Sequence, residues 1–184
     1  MAKHSRILKS LDPQDLNLIA AERDNSGLEW GFHYLRITPE SAPLRHGSSL
    51  YVQSLHVLNH STIVDHRAKF ARTIAAVANW TGNKAEDVAR SYWHRLKPGD
   101  RIDVHRDRDR ADGTYFQQIT RYQIYMPHTP GFVAVMDGQL WNSDDDKLLS
   151  GRLIEFNHSD WHYYANHSEQ DVDFLVMDFF TNRM

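Results

Sequence analysis

The sequence predicts a mainly β fold with supporting helices, arranged as a small barrel or sandwich. Two observations point there. After residue 88 the chain breaks into short segments rich in β-branched and aromatic residues, at 90–97, 101–107, 116–126, 131–136, 139–142, 150–156 and 172–180. Several short strands at near-regular spacing are the pattern of sandwiches and barrels. Turn signals separate them: Pro98-Gly99, Ala111-Asp112-Gly113, the stretch from Pro127 to Pro130, and Asp137-Gly138. The last is a strong hairpin pair.

Taken in order, the N-terminal residues Ile7, Leu8, Leu11, Leu16, Ile19 and Ala20 suggest two short amphipathic helical pieces broken near Pro13. Residues 28–38 and 50–58 carry aromatic and branched side chains and read as strands. A helix is predicted at about 61–80. Ser61 or Thr62 can cap it, Asp65 falls in its first turn, Phe70, Ile74 and Val77 share a face, and Gly82-Asn83 closes it. Residues 1–87 thus form a mixed support region and residues 88–184 the core, together one domain.

Parity along two strands predicts polar faces. In 101–107, Arg101, Asp103, His105 and Asp107 fall on one side and Ile102 and Val104 on the other. In 119–126, Ile119, Arg121, Gln123 and Tyr125 oppose Tyr122, Ile124 and Met126. Polar faces meeting at a barrel mouth make a ligand site, although a half-exposed sheet has the same pattern.

Composition narrows the chemistry. A chain of 184 residues suits one domain with a real core, and 41% hydrophobic residues suit a folded one. The net charge of −3 gives no reason to expect nucleic acid, and the arginines of 101–110 are interleaved with aspartates. No apolar run has a membrane-spanning length. The start MAKHSRILKSLDPQ lacks a secretory pattern, so a cytoplasmic protein is expected. Without cysteine, thiolate metal sites, iron–sulfur clusters and a cysteine nucleophile are excluded. A metal would have to use His, Asp and Glu.

His105 and Asp107, two apart on a strand, point the same way and can share a metal. Taken alone, the HRDRDR run reads more simply as solvated charge, and Asp109 is a further possible ligand. A third ligand must come from a distant segment. His158, His162 and His167 all lie in a predicted 157–168 loop.

The chain resembles the aspartyl/asparaginyl β-hydroxylase family of iron(II)/2-oxoglutarate oxygenases. The matching pieces begin with Leu96-Lys97-Pro98-Gly99-Asp100-Arg101-Ile102, leading to His105-x-Asp107. Arg121-x-Gln123 follows on the next strand. Gly151-Arg152-Leu153-Ile154-Glu155-Phe156 then runs into His162-x-x-x-Asn166, and Phe174-Leu175-Val176-Met177-Asp178 ends the series. Their order and spacing agree with the family over about residues 90–180.

The resemblance implies a double-stranded β-helix (jelly-roll, cupin-like) fold, with iron(II) on His105, Asp107 and His162. It further implies 2-oxoglutarate and molecular oxygen as cosubstrates, and hydroxylation of an amino-acid-like or peptidyl substrate, with oxidative decarboxylation of 2-oxoglutarate to succinate. Two imidazoles and one carboxylate are the facial ligand set of such enzymes.

One position departs from the pattern. The family's arginine ten residues after the distal histidine is Val172 here. A buried second carboxylate needs a cationic or multiply hydrogen-bonding anchor. Arg121, with Gln123, is the first candidate, followed by Arg95, His94 and Arg152. Asn166 matches the family's asparagine and is expected near the iron or in a turn. Trp161, Tyr163 and Tyr164 flank His162, and Trp161 and Tyr164 are the expected substrate-pocket residues. Val172 also motivates an alternative, a cupin-like metal enzyme that does not use 2-oxoglutarate. A third possibility is a non-enzymatic jelly-roll binding module.

Overall fold

In the computed structural model the described residues are 4–34, 51–58, 66–107, 118–142 and 149–181. The strands are β1 (Arg6–Ser10), β2 (Gly31–Tyr34), β3 (Tyr51–Leu58), β4 (Val88–Leu96), β5 (Arg101–His105), β6 (Ile119–Tyr125), β7 (Phe132–Met136), β8 (Gln139–Asn142), β9 (Arg152–Phe156), β10 (His162–Asn166) and β11 (Val172–Phe180). The helices are α1 (Pro13–Asp24) and α2 (Ala71–Thr81).

From β4 onward the chain crosses back and forth between two antiparallel sheets. The larger has the order β1-β9-β6-β11-β4-β3-β2 and the smaller β5-β10-β7-β8. This alternation winds a double-stranded β-helix, the expected jelly roll. Residues 1–87 add three strands to the larger sheet as well as the helices.

Two apolar clusters hold the layers together. Phe70, Ile74 and Val77 of the α2 segment and Ile19 of α1 pack on one face of the larger sheet, against Trp93, Ile124, Leu153, Leu175 and Phe179. The second cluster fills the space between the sheets. It contains Leu96, Ile102, Tyr125, Phe132, Ala134, Met136, Ile154, Phe156, Tyr164, Val172, Phe174 and Val176. Each such side chain taken out of water contributes about 1.5–3 kcal/mol. Strand alternation assigns the faces: Tyr122, Ile124 and Met126 face the helices, while Arg121, Gln123 and Tyr125 face the barrel interior, as expected.

Several local expectations are corrected. Residues 6–10 are a strand, not a helical piece. A helix this short cannot sustain itself, whereas β1 pairs along β9 and sets Arg6 on Glu155 at 2.7 Å. Pro13 opens α1 instead of breaking a helix; Asp12 caps it, its side chain accepting from the Asp15 N–H at 2.8 Å. The regular helix near residue 70 starts at Ala71, after a 3-10 turn at Arg67–Phe70. Its cap comes from another helix: the Glu22 carboxylate of α1 accepts from the N–H groups of Arg72 and Thr73 at 3.1 and 2.8 Å. Ser61, Thr62, Asp65, Asp109 and the 111–113 turn lie outside the described residues. Gly82 closes α2 with φ 72°, and the Asp137-Gly138 hairpin has φ 54° and 69°, the positive values a type I′ turn needs.

The largest correction concerns 157–168. Its second half is not loop but β10, paired on both sides, to β5 and β7. Its HYYAN sequence offers two strand-favouring tyrosines but no β-branched residue, and its Ala and Asn are depleted in strands. The two neighbouring strands supply what propensity lacks.

Candidate metal centre

His105 and His162 sit directly opposite each other on β5 and β10. Opposed residues on an antiparallel pair project to the same face, and here their ring centroids are 4.1 Å apart. An irregularity in β5 aims His105 inward. His162 pairs with His105 but Tyr164 pairs with Ile102, so β5 spends one residue more than β10 between the two pairs, as in a β-bulge. The extra residue overturns the simple alternation expected for 101–107. Ile102 is 2% exposed within the barrel cluster and Val104 is 59% exposed. Ile102 and His105 therefore both face inward.

Asp107 lies just past β5, where its backbone N–H donates to the His158 carbonyl at 3.1 Å. Its Oδ1 is 3.9 Å from His105 Nε2. One donor atom from each of His105, Asp107 and His162 lies within 4.8 Å of the others.

The backbone sets the tautomers of both rings. His105 Nδ1 is 2.8 Å from the Asp103 carbonyl, and His162 Nδ1 is 2.9 Å from the Asp160 carbonyl. A carbonyl oxygen can only accept, so each Nδ1 carries the proton and donates. With Nδ1 so engaged, Nε2 is the atom each ring has left for a metal. Burial, reinforced by the neighbouring His105, pushes His162 down to about 4, so it is neutral at physiological pH. Burial opposes ionisation of Asp107, but Arg121, His162, His105 and Arg90 outweigh it and hold the carboxyl below its ordinary value.

Arg121 stands beneath the cluster. Opposite Asp178 in register, it donates to it twice, Nε to Oδ1 at 2.7 Å and Nη2 to Oδ2 at 2.9 Å. Its Nη1 donates to Asp107. Burial works against its charge, but Asp178, Tyr92 and Asp107 raise it well above the ordinary value, so it stays cationic. Arg90 on β4 reaches Asp178 at 3.3 Å.

The remaining expected site residues divide. Gln123 and Tyr164 face the interior and share a network: Gln123 Nε2 donates to the Tyr164 hydroxyl at 3.0 Å, and the Tyr125 hydroxyl donates to Gln123 Oε1 at 2.5 Å. His94 also faces inward, between Tyr92 and Phe174. Arg95 does not. It lies on the helix-covered face, bound to Asp173 by two hydrogen bonds of 2.7 Å and set over the Trp30 ring, because neighbouring strand residues point to opposite sides. Asn166 is not near the metal ligands but stitches a turn. Its Nδ2 donates to the carbonyls of Leu96 and Gln170, and its Oδ1 accepts from the Ser168 N–H and hydroxyl. Arg121, the first anchor candidate, is committed to the two aspartates. Trp161 is 50% exposed, with the Arg106 guanidinium over its ring at 5.4 Å; it forms a rim beside His162, not an enclosed wall. Val172 is fully buried in the barrel's apolar cluster.

Sequence reasoning did not single out Asp178 and Arg90. A signal for Asp178 existed, since a carboxylate inside the apolar run FLVMDFF must be buried with a cation.

No protein-family model and no curated protein matches the chain. Solved structures of similar fold do exist. A 2OG-Fe(II) oxygenase family oxidoreductase from Burkholderia pseudomallei aligns with a TM-score of 0.65 at 14% identity, covering 97% of this chain and 86% of that one. A viral collagen prolyl hydroxylase from Paramecium bursaria Chlorella virus-1, in complex with 2OG, aligns at 0.55 with 12% identity, covering 96% and 95%. A Pseudomonas putida prolyl-4-hydroxylase aligns at 0.54 with 14% identity, covering 98% and 95%. The shared property is the jelly-roll fold.

Proposed function

We propose that this protein is an iron(II)- and 2-oxoglutarate-dependent dioxygenase that hydroxylates an amino-acid-like or peptidyl substrate. The observation that carries the reading is the convergence of two Nε2 lone pairs and one carboxylate, with both imidazole tautomers fixed by backbone carbonyls. The donor set fits iron(II): imidazole and carboxylate suit it, and three protein ligands leave positions open. The fold neighbours support the same reaction class, and the two prolyl hydroxylases among them support an amino-acyl substrate.

In this reading His105, His162 and Asp107 hold the metal. Arg121 engages one carboxylate oxygen of Asp107 through Nη1 and leaves Oδ1 toward His105, which favours single-oxygen ligation. The Asp178 ion pair keeps Arg121 in place. Phe156 meets the His162 ring edge-on at 4.8 Å and, with buried Met136, walls the site from water on the interior side. Trp161 and Arg106 at the exposed rim are placed to meet substrate. Iron bound there would supply the oxidising power by using molecular oxygen, with 2-oxoglutarate as the two-electron co-reductant: one oxygen atom would go to the substrate, C–H becoming C–OH, and the other to succinate, with carbon dioxide released.

One observation favours a second reading. Val172, where a cationic anchor is expected, is sealed among Leu96, Phe174 and Val176, as suits a metal enzyme whose substrate chelates the metal without 2-oxoglutarate.

Anaerobic titration of the chelator-treated protein with iron(II), then with 2-oxoglutarate, separates the two. A visible charge-transfer band that needs both components supports the first reading. Tight iron binding without the band supports the second, and no iron binding removes both.

A further inference from the structure

A 2-oxo diacid that chelates a metal through its oxo group and adjacent carboxylate brings a second carboxylate with it. In the five-carbon acid that carboxylate lies three C–C bonds, roughly 4 Å, beyond the oxo carbon. It must find a cation, because burying it unpaired is costly. This inference rests on the 2-oxoglutarate reading above and asks which residue of this chain completes it.

The described arginines near the barrel can be sorted by face and depth. Arg95 is on the opposite face of its sheet. Arg121 gives three of its nitrogens to Asp178 and Asp107. Arg152 pairs with Tyr125, four residues along β9 from Phe156, the residue opposite Arg121. At strand rise that is about 13 Å from the level of the metal ligands. The packed rings of Tyr125, Phe132, Tyr164 and Phe174, spaced 5.2–6.3 Å and nearly fully buried, fill the interior before it. Val172 lies six residues along β11 from Asp178, behind the same rings.

Arg90 is placed differently. It is opposite Asp178 on β4, at the level of Arg121 and on the interior face. Its guanidinium carbon stands 4.9 Å over the ring of Tyr92, the next interior-facing residue of the strand, about 6.6 Å deeper in strand rise. Its side chain is 28% exposed, against 2% for Arg121. Asp178 already receives two shorter hydrogen bonds from Arg121.

We propose that Arg90, packed on Tyr92 at the barrel mouth, is the anchor that binds the far carboxylate of a five-carbon 2-oxo dicarboxylate chelating the metal. The anion is thus held from β4, near the level of the metal ligands, and not from the start of β11.

The test compares 2-oxoglutarate with 2-oxopentanoate, which has the same chain without the second carboxylate. Both are titrated anaerobically into the iron(II)-loaded protein and read by the charge-transfer band. The parent is expected to bind the diacid at least about tenfold tighter, the scale of one charge-assisted carboxylate contact. Arg90→Met should reduce that ratio to near one while leaving the band with 2-oxopentanoate in place. Arg90→Lys should keep part of the preference, and Arg152→Met all of it. A full preference in Arg90→Met, its loss in Arg152→Met, or its absence in the parent would each overturn the anchor while leaving an iron–oxoacid enzyme. No band with either acid would bring down the cosubstrate reading itself.

Discussion

Arg121 and Asp178 face each other across β6 and β11 and form a two-point ion pair at 2.7 and 2.9 Å, one side chain 2% and the other 0% exposed. The same guanidinium donates to Asp107. The last strand of the fold is therefore tied to the carboxylate of the candidate metal centre. Removing one member of a buried pair leaves the other uncompensated, at about 3–5 kcal/mol. Asp178→Asn should lower the melting temperature of the metal-free protein and weaken iron binding by roughly 10–100-fold, as loss of a group supporting a ligand does. Unchanged iron affinity, with the destabilisation present, would reduce the pair to a structural one.

His105→Ala and His162→Ala should each lose more iron affinity than Asp178→Asn, because each removes a donor and not its support. The check is metal content after anaerobic dialysis against iron(II). A variant that retains iron like the parent would remove its residue from the ligand set.

With a chelator present, stability should fall on acidification because His162 is depressed from 6.5 to about 4. Between those values the unfolded chain binds a proton at this residue and the folded chain does not. The stabilisation is thus complete above pH 6.5 and is lost as pH falls toward 4, a few kcal/mol at full extent. Asp107, held below its ordinary value, adds a loss at still lower pH. Melting temperature against pH should flatten between 6.5 and 4.5 in His162→Gln. An unaltered slope would assign the effect to another group.

Val172→Arg puts back the cation that the resemblance leads one to expect, but into a closed apolar cluster. A buried unpaired charge there should cost about 3 kcal/mol or more, read as a lowered denaturation midpoint. A variant as stable as the parent, with tighter 2-oxoglutarate binding, would mean that the interior opens at that depth after all.

Gly131→Ala should also destabilise, by about 2 kcal/mol or more. Gly131 has φ 109°, a Cβ there would lie 2.9 Å from the Ser168 nitrogen, and its carbonyl accepts from the His167 N–H at 2.8 Å. This contact clamps the end of β10, so thermal unfolding should report the change more strongly than iron affinity does.

The sequence by itself determined the strand-rich core, the turns, the Gly82 stop and the interior face of β6. Each depends on local rules: strand alternation, positive φ at glycine, and apolar residues at helical spacing. It also carried the motif order that singled out His105, Asp107 and His162. Pairing decided the rest. β1 is a strand because β9 accepts it, and β10 is a strand because β5 and β7 flank it. The extra residue in β5 put Ile102 and Val104, expected on one face, on opposite sides, Ile102 inward with His105 and Val104 outward, without any local signal. The roles of the charged residues were least legible. Arg95, Arg121 and Arg90 look alike in sequence, and each one's role depends on which carboxylate the opposite strand presents. Asp173 holds Arg95 on the outer face, and Asp178 holds Arg121 inside. Such partners lie far away in the chain, and only the register of β4, β6 and β11 brings them within hydrogen-bonding distance.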